Sequence, residues 1–150
     1  MDGANLARAC GDAMWAEDAT SRALGIELVS IAPGEAALAM TVADSMANWH
    51  GTCHGGFIYL LADTAFGYAC NSRNQRVVGQ YCTVAYINPA RRGERLIASA
   101  VERQREGRSG IYDVAVKRED GTVVAEFRGH SRSVAGHILP ENKDAESHGG

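Results

Sequence analysis

Residues Asn48 to Asn71 read NWHGTCHGGFIYLLADTAFGYACN, and the rest of the chain is arranged around them. The stretch opens as a loop that ends in His54, Gly55 and Gly56. It continues as about four turns of helix, Gly55 to Ala69, apolar almost all the way round. A single carboxylate, Asp63, interrupts it. A charge in the middle of a buried helix is costly unless it is paired, neutralised or used. A helix that is apolar on every side cannot be satisfied by one face of one sheet.

The flanking sequence supplies the rest of the architecture. Residues 4–18 carry Leu6, Ala9, Cys10, Ala13, Met14 and Ala16 at roughly helical spacing. Thr20-Ser21 is read as the cap of a short turn through Leu24, ended by Gly25. Ile26–Ile31 and Glu35–Val42 read as two arms of a hairpin about Pro33-Gly34. After the polar break Asn71–Arg76, four strands are expected as an antiparallel meander: Val77–Ile87, Arg95–Arg105, Ser109–Lys117 and Thr122–Val134. The economical fold is α+β, a curved antiparallel sheet wrapped around one long helix, with a second subunit covering what remains. One domain is expected over residues 1–135, with 1–24 a helical segment and 136–150 a flexible tail.

Composition narrows the function. The chain has 150 residues, is 45 % apolar and carries a formal net charge of −3, so neither nucleic acid nor an anionic membrane is implied as a partner. The longest apolar run, Phe57–Ala62, is too short to span a bilayer. Cys10, Cys53, Cys70 and Cys82 show no paired spacing, which predicts reduced thiols and a cytoplasmic protein.

The central stretch holds two chemical elements. First-turn amides near Gly55 and Gly56 are unpaired donors at the positive end of the helix dipole, suited to an oxyanion or a polarised carbonyl. Asp63 is a candidate nucleophile or general base. Eight residues of helix separate them by about 12 Å, too far to serve one carbonyl carbon within one chain. Two antiparallel copies of the helix across a twofold axis bring Gly55 of one beside Asp63 of the other, which predicts sites shared across a homodimer. Gly56 and Gly67 lie on the same face as Asp63, at about 1 kcal/mol each against alanine, and point to close approach by a partner helix or ligand. The bland alternative is that Asp63 pairs with an arginine of the sheet.

The pattern Asn48-x-x-Gly51-x-x-His54-Gly55-Gly56, followed by Leu60-Leu61-Ala62-Asp63-Thr64-Ala65, resembles the signature of the hotdog-fold acyl-CoA thioesterases, in particular the phenylacetic-acid-degradation branch. Agreement extends to Ala69-Cys70-Asn71-Ser72 and Phe127-Arg128-Gly129 and covers roughly residues 20–135. The resemblance implies a curved six-stranded sheet around the helix, dimers with shared sites, and tetramers built as dimers of dimers. It implies hydrolysis of aryl-acetyl thioesters such as phenylacetyl-CoA or its ring-hydroxylated forms, without a metal. Coenzyme A enters only as part of the substrate.

Carried over residue by residue, the resemblance makes Asp63 the nucleophile or the base that activates water. The Gly55 amide of the other subunit polarises the thioester carbonyl, with Gly56 beside it. His54 positions that loop or bonds near the thioester sulfur, Asn48 helps position the attacking group, and Thr64 holds Asp63. Gln80 or Thr83, on the strand after the helix, is expected near the acyl group. Arg91, Arg92, Arg105, Arg108 and Arg128 are candidates for the coenzyme A phosphates.

Other signals are weaker. His50 and His54 with Cys53 between them form no His-Glu-x-x-His motif, and no metal site is expected. Cys53 beside His54 is read as packing, because adjacent residues rarely aim at each other. No Gly-x-Ser-x-Gly elbow is present. Two other functions compete: a hotdog acyl-CoA hydratase or dehydratase, which needs an acid/base pair not found here, and a non-catalytic acyl-CoA sensor, which needs an effector segment.

Overall fold

The computed structural model describes residues 1–140. Helix α1 (Gly3–Glu17) starts where Asp2 accepts the Asn5 amide at 2.7 Å, and α2 (Ala19–Ala23) follows. The cap of α2 is Asp18 rather than Thr20-Ser21. Its carboxylate accepts the Ser21 amide and hydroxyl at 3.0 and 2.6 Å, using both oxygens where a hydroxyl offers one. Strands β1 (Glu27–Ala32) and β2 (Glu35–Thr41) form the expected hairpin. A 3₁₀ turn at Asp44–Met46 leads to the central helix α3 (Gly55–Cys70). Strands β3 (Val77–Tyr86), β4 (Arg95–Glu106), β5 (Ser109–Arg118) and β6 (Val123–Ser133) complete the chain.

All six strands form one antiparallel sheet, in the order β1-β2-β4-β5-β6-β3. The sheet around one long helix is the hotdog arrangement. The last four strands are not a simple meander, because β3 pairs with β6 and not with β4. Connection length explains this. The tight turns at Gly107-Arg108 and Glu119–Thr122 keep their strands adjacent, whereas 87–94, with Pro89 in it, releases β3 to the far edge. Strand β3 therefore has one free edge, where Val78, Tyr81 and Tyr86 are about half exposed.

The core lies between α3 and the concave face of the sheet. Leu61, Ala62, Ala65 and Ala69 are fully buried, facing Leu38, Ala98, Val114 and Val116. Small residues at Ala36, Ala98 and Ala100 let the helix lie close. The Phe66 ring presses on the glycines of two strands. A Cβ at Gly129 would stand 2.8 Å from its ring carbons, and one at Gly79 would stand 3.1 Å away. The same ring meets Tyr112 and Phe127 at centroid distances of 5.6 and 5.8 Å.

The sheet does not close around α3. Gly56 and Asp63 are exposed, with Tyr59, Leu60, Thr64 and Gly67 half-buried beside them. A Cβ at Gly67 would meet nothing within 4 Å. The picture of Asp63 as a charge buried within its own chain is therefore corrected. The carboxylate stands on the uncovered stripe of the helix.

Of the C-terminal stretch expected to be flexible, residues 141–150 lie outside the described residues. Its first residues are fastened, with the Ile138 and Leu139 amides donating to Asn74 Oδ1 at 3.0 and 2.8 Å. No helix among the described residues is long and apolar enough to cross a membrane.

Candidate active site

The loop before α3 is organised by Asn48. Its Oδ1 accepts from the His50 amide (3.0 Å), the Thr52 amide (3.2 Å) and the Thr52 hydroxyl (3.0 Å). The His54 amide donates to Met46 O at 2.8 Å and closes the loop against the 3₁₀ turn. Asn48 thus holds the loop through its oxygen, and its side-chain amide is left as a donor. Trp49, at the loop tip, is 88 % exposed.

His54 is the N-cap of α3. Its Nδ1 accepts the Gly56 amide at 3.0 Å, and its carbonyl accepts the Phe57 amide at 3.0 Å. Nδ1 as acceptor places the ring proton on Nε2, which makes the outer nitrogen a donor. The capping accounts for the second and third helical amides. The first, Gly55 N–H, has no intrahelical partner by construction, and no hydrogen bond reaches it from the described residues. Its carbonyl accepts the Tyr86 hydroxyl at 2.9 Å. The Tyr86 ring lies so close that a Cβ at Gly55 would stand 3.0 Å from it. Gly55 therefore presents a bare N–H at the dipole's positive end, beside a groove of about 350 Å³ lined by Thr52, Ile58, Tyr86 and Ile87.

Asp63 lies two turns further along the helix. It makes no ion pair and no hydrogen bond among the described residues, so the pairing with a sheet arginine is not realised. Surrounding protein desolvates it and raises its pKa above the usual carboxylate value. Its charge in turn helps to raise the pKa of Tyr59, Cys70 and Cys82, which places these three around it. An uncompensated carboxylate among a phenol and two thiols is suited to proton abstraction or nucleophilic attack.

Several expected residues are placed elsewhere. The Thr64 hydroxyl donates to Leu60 O at 2.7 Å and does not hold Asp63, since consecutive helical side chains point apart. Gln80 is the extra residue of a β-bulge between Gly79 and Tyr81. The bulge resets the alternation of β3. Cys82, opposite Gly129, then faces the helix, and Thr83, opposite Arg128, faces outward. Arg128 is committed to Asp113 through two bonds of 2.6 and 2.9 Å, on the outer face of the sheet. Arg91 and Arg92 are exposed in the loop before β4, next to Thr52. Arg105 and Arg108 are brought together at the opposite end of α3, with Arg73, which sequence reasoning did not single out. Cys82 and Tyr86 were missed as well. Only the bulge, invisible in the residue pattern, turns Cys82 inward.

Cys53 is buried, and burial pushes its thiol up to about 11, away from the thiolate that a nucleophile needs. No group of His, Cys, Asp and Glu suited to a metal ion occurs among the described residues.

A six-stranded antiparallel sheet wrapped on one long helix, which here carries a bare first-turn amide and an unpaired carboxylate, is the hotdog fold. The chain belongs to the thioesterase superfamily, whose family model matches residues 50–125. It is 41 % identical to the acyl-coenzyme A thioesterase PaaI of Escherichia coli, over 86 % of this chain and 92 % of that protein. The structure of the E. coli PaaI protein superposes with a TM-score of 0.89 at 38 % identity, covering 91 % of this chain and 99 % of that one. A mutant of the phenylacetic acid degradation protein PaaI from Thermus thermophilus superposes with a TM-score of 0.74 at 40 % identity, covering 77 % and 98 %.

Proposed function

We propose that the protein is an acyl-CoA thioesterase that hydrolyses aryl-acetyl thioesters, such as phenylacetyl-CoA and its ring-hydroxylated forms, in phenylacetate degradation. One observation carries the reading. The unbonded Gly55 amide and the unpaired Asp63 carboxylate lie on one helix, about 12 Å apart by helical rise, with an open stripe between them.

In this account the site is shared by two chains. The free edge of β3 and the uncovered stripe of α3 form the surface a second copy covers, with its helix antiparallel to the first. The exposed apolar side chains Val78, Tyr81, Tyr86 and Trp49 support that surface. Gly55 of one chain then polarises the thioester carbonyl, with His54 Nε2–H directed toward the sulfur. Asp63 of the other attacks the carbonyl carbon or takes a proton from the water that does. The thiolate leaves as coenzyme A; on the nucleophilic route water then hydrolyses the acyl-Asp63 anhydride, and on the general-base route the attacking water itself completes the acid. The finer assembly, a dimer of dimers, is measured by mass in solution. A cytoplasmic location belongs to the same reading, and no metal or cofactor is required by it.

A thiol-release screen over aromatic, short and long acyl-CoAs tests the reading. Aryl-acetyl thioesters are expected to give the highest kcat/KM. Absence of thiol release from all of them contradicts it.

A further inference from the structure

Trp49 is the most exposed aromatic side chain among the described residues. Its ring lies over His50 at a centroid distance of 3.4 Å, and its indole N–H has no acceptor among the described residues. The loop that carries it is pinned. The Asn48 amide donates to Thr52 O at 2.8 Å, and Asn48 Oδ1 holds the next turn of chain. A large apolar ring is thus held out at a fixed place.

The uncovered stripe of α3 ends in a matching hollow. A cleft of about 330 Å³ lies between the end of α1 and α3, lined by Met14, Glu17, Asp18, Thr64, Gly67 and Tyr68. Its floor is open at Gly67, where a Cβ would meet nothing within 4 Å. The oxygens of Asp18 are taken by the Ser21 and Tyr68 hydroxyls, at 2.6 and 3.0 Å. Glu17 is exposed and makes no ion pair among the described residues. Open apolar space beside a free carboxylate suits an indole, which has a flat apolar body and a single N–H donor.

The two features cannot meet within one chain. Gly55 and Gly67 are about 18 Å apart along the helix, and the loop leaves from the far end. Antiparallel copies bring them together. With Gly55 of one chain beside Asp63 of the other, the twofold axis passes Tyr59, midway between. Gly67 then faces residue 51 of the partner, two residues from its loop tip. The cleft also begins at the reaction centre, since Thr64 follows Asp63 and Gly67 lies one turn beyond it. The group attached to the thioester carbonyl enters there.

We infer that Trp49 of each chain closes the cleft between α1 and α3 of the other, and that its indole is the wall against which an aromatic acyl group is held. This placement rests on the shared-site reading of Gly55 and Asp63.

Emission reads the placement without turnover. In a Trp15→Phe background Trp49 is the only tryptophan. In dimers, verified by sedimentation, its emission is expected to lie blue of free tryptophan in water and to be shielded from acrylamide. Dimers whose Trp49 emits and quenches like free tryptophan overturn the placement and leave the shared site standing. Monomers remove both together. Kinetics read the wall. Trp49→Ala is expected to lower the ratio of kcat/KM on phenylacetyl-CoA to that on butyryl-CoA by about tenfold, and Trp49→Phe to restore most of it. An unchanged ratio in Trp49→Ala overturns the wall. If the wild type hydrolyses neither thioester, the thioesterase reading fails, and the emission still decides where Trp49 lies.

Discussion

His54 Nδ1 accepts the Gly56 amide at 3.0 Å, and this bond singles out Gly55 N–H as the exposed donor of α3. The histidine thus has two jobs in the account: it caps the helix, and it presents its outer nitrogen next to the donor. The two jobs are separable. His54→Ala is expected to cost about 1 kcal/mol of stability through loss of the cap. His54→Asn keeps a good capping oxygen, so its melting temperature should stay close to wild type while kcat falls in both variants. Thermal melts and kcat measured side by side check this.

Asp63→Asn is expected to lower kcat by about 10²- to 10⁴-fold, with the circular dichroism spectrum unchanged. The same change should raise the melting temperature at neutral pH. Asp63 has a native pKa raised by desolvation. A carboxyl raised in this way binds more protons folded than unfolded, so native stability declines as pH rises through that window. The gain from Asp63→Asn should therefore shrink as pH falls toward the ordinary carboxylate pKa. Melts over a pH series measure it.

The Phe66 ring against Gly129 sets a packing limit. Gly129→Ala places a Cβ 2.8 Å from ring carbons of a buried phenylalanine. Denaturant unfolding is expected to show a loss of about 1–3 kcal/mol. The corresponding change at Gly67, whose Cβ would meet nothing within 4 Å, should be mild in the isolated chain and is expected to weaken dimer formation.

Cys82 and Thr83 lie on opposite faces of β3, and their variants should differ accordingly. Cys82→Leu fills space beside Tyr59 and Asp63, so kcat/KM for aryl-acetyl thioesters is expected to fall at least tenfold. Thr83→Ala, on the outer face opposite Arg128, should leave it within twofold. Steady-state kinetics on one substrate series decide this.

How much of this was readable in the residues depends on the range of the interaction concerned. The Gly55–Asp63 spacing is a local property of a helix, and the helical spacing of apolar residues over 55–69 located that helix closely. The hairpins with short turns were readable for the same reason. The pairing of β3 with β6 was not, because a long connection leaves partner choice to the packing of α3 on the whole sheet. The bulge at Gln80 shifts every later side chain of β3 by one face, so the register that separates Gln80 from Thr83 was not readable in the residues and Cys82 was overlooked. The exposure of Asp63 depends on how far the sheet curls, which no local pattern records. The cluster of Arg73, Arg105 and Arg108 joins residues from the end of α3 and the β4–β5 turn, and only the folded chain brings them together.

The central claim is that Gly55 and Asp63 of different chains make one site, and complementation tests it most directly. Gly55→Pro removes the donor N–H at a first helical position that proline tolerates, and the half-exposed Tyr86 ring has room to swing aside. Asp63→Asn removes the carboxylate. Each variant alone is expected to be nearly inactive. When the two are unfolded together and refolded as an equal mixture, half of the dimers pair one of each, and each of these holds one intact site of two. The account predicts recovery of about a quarter of wild-type thiol release. A mixture no more active than either parent contradicts it.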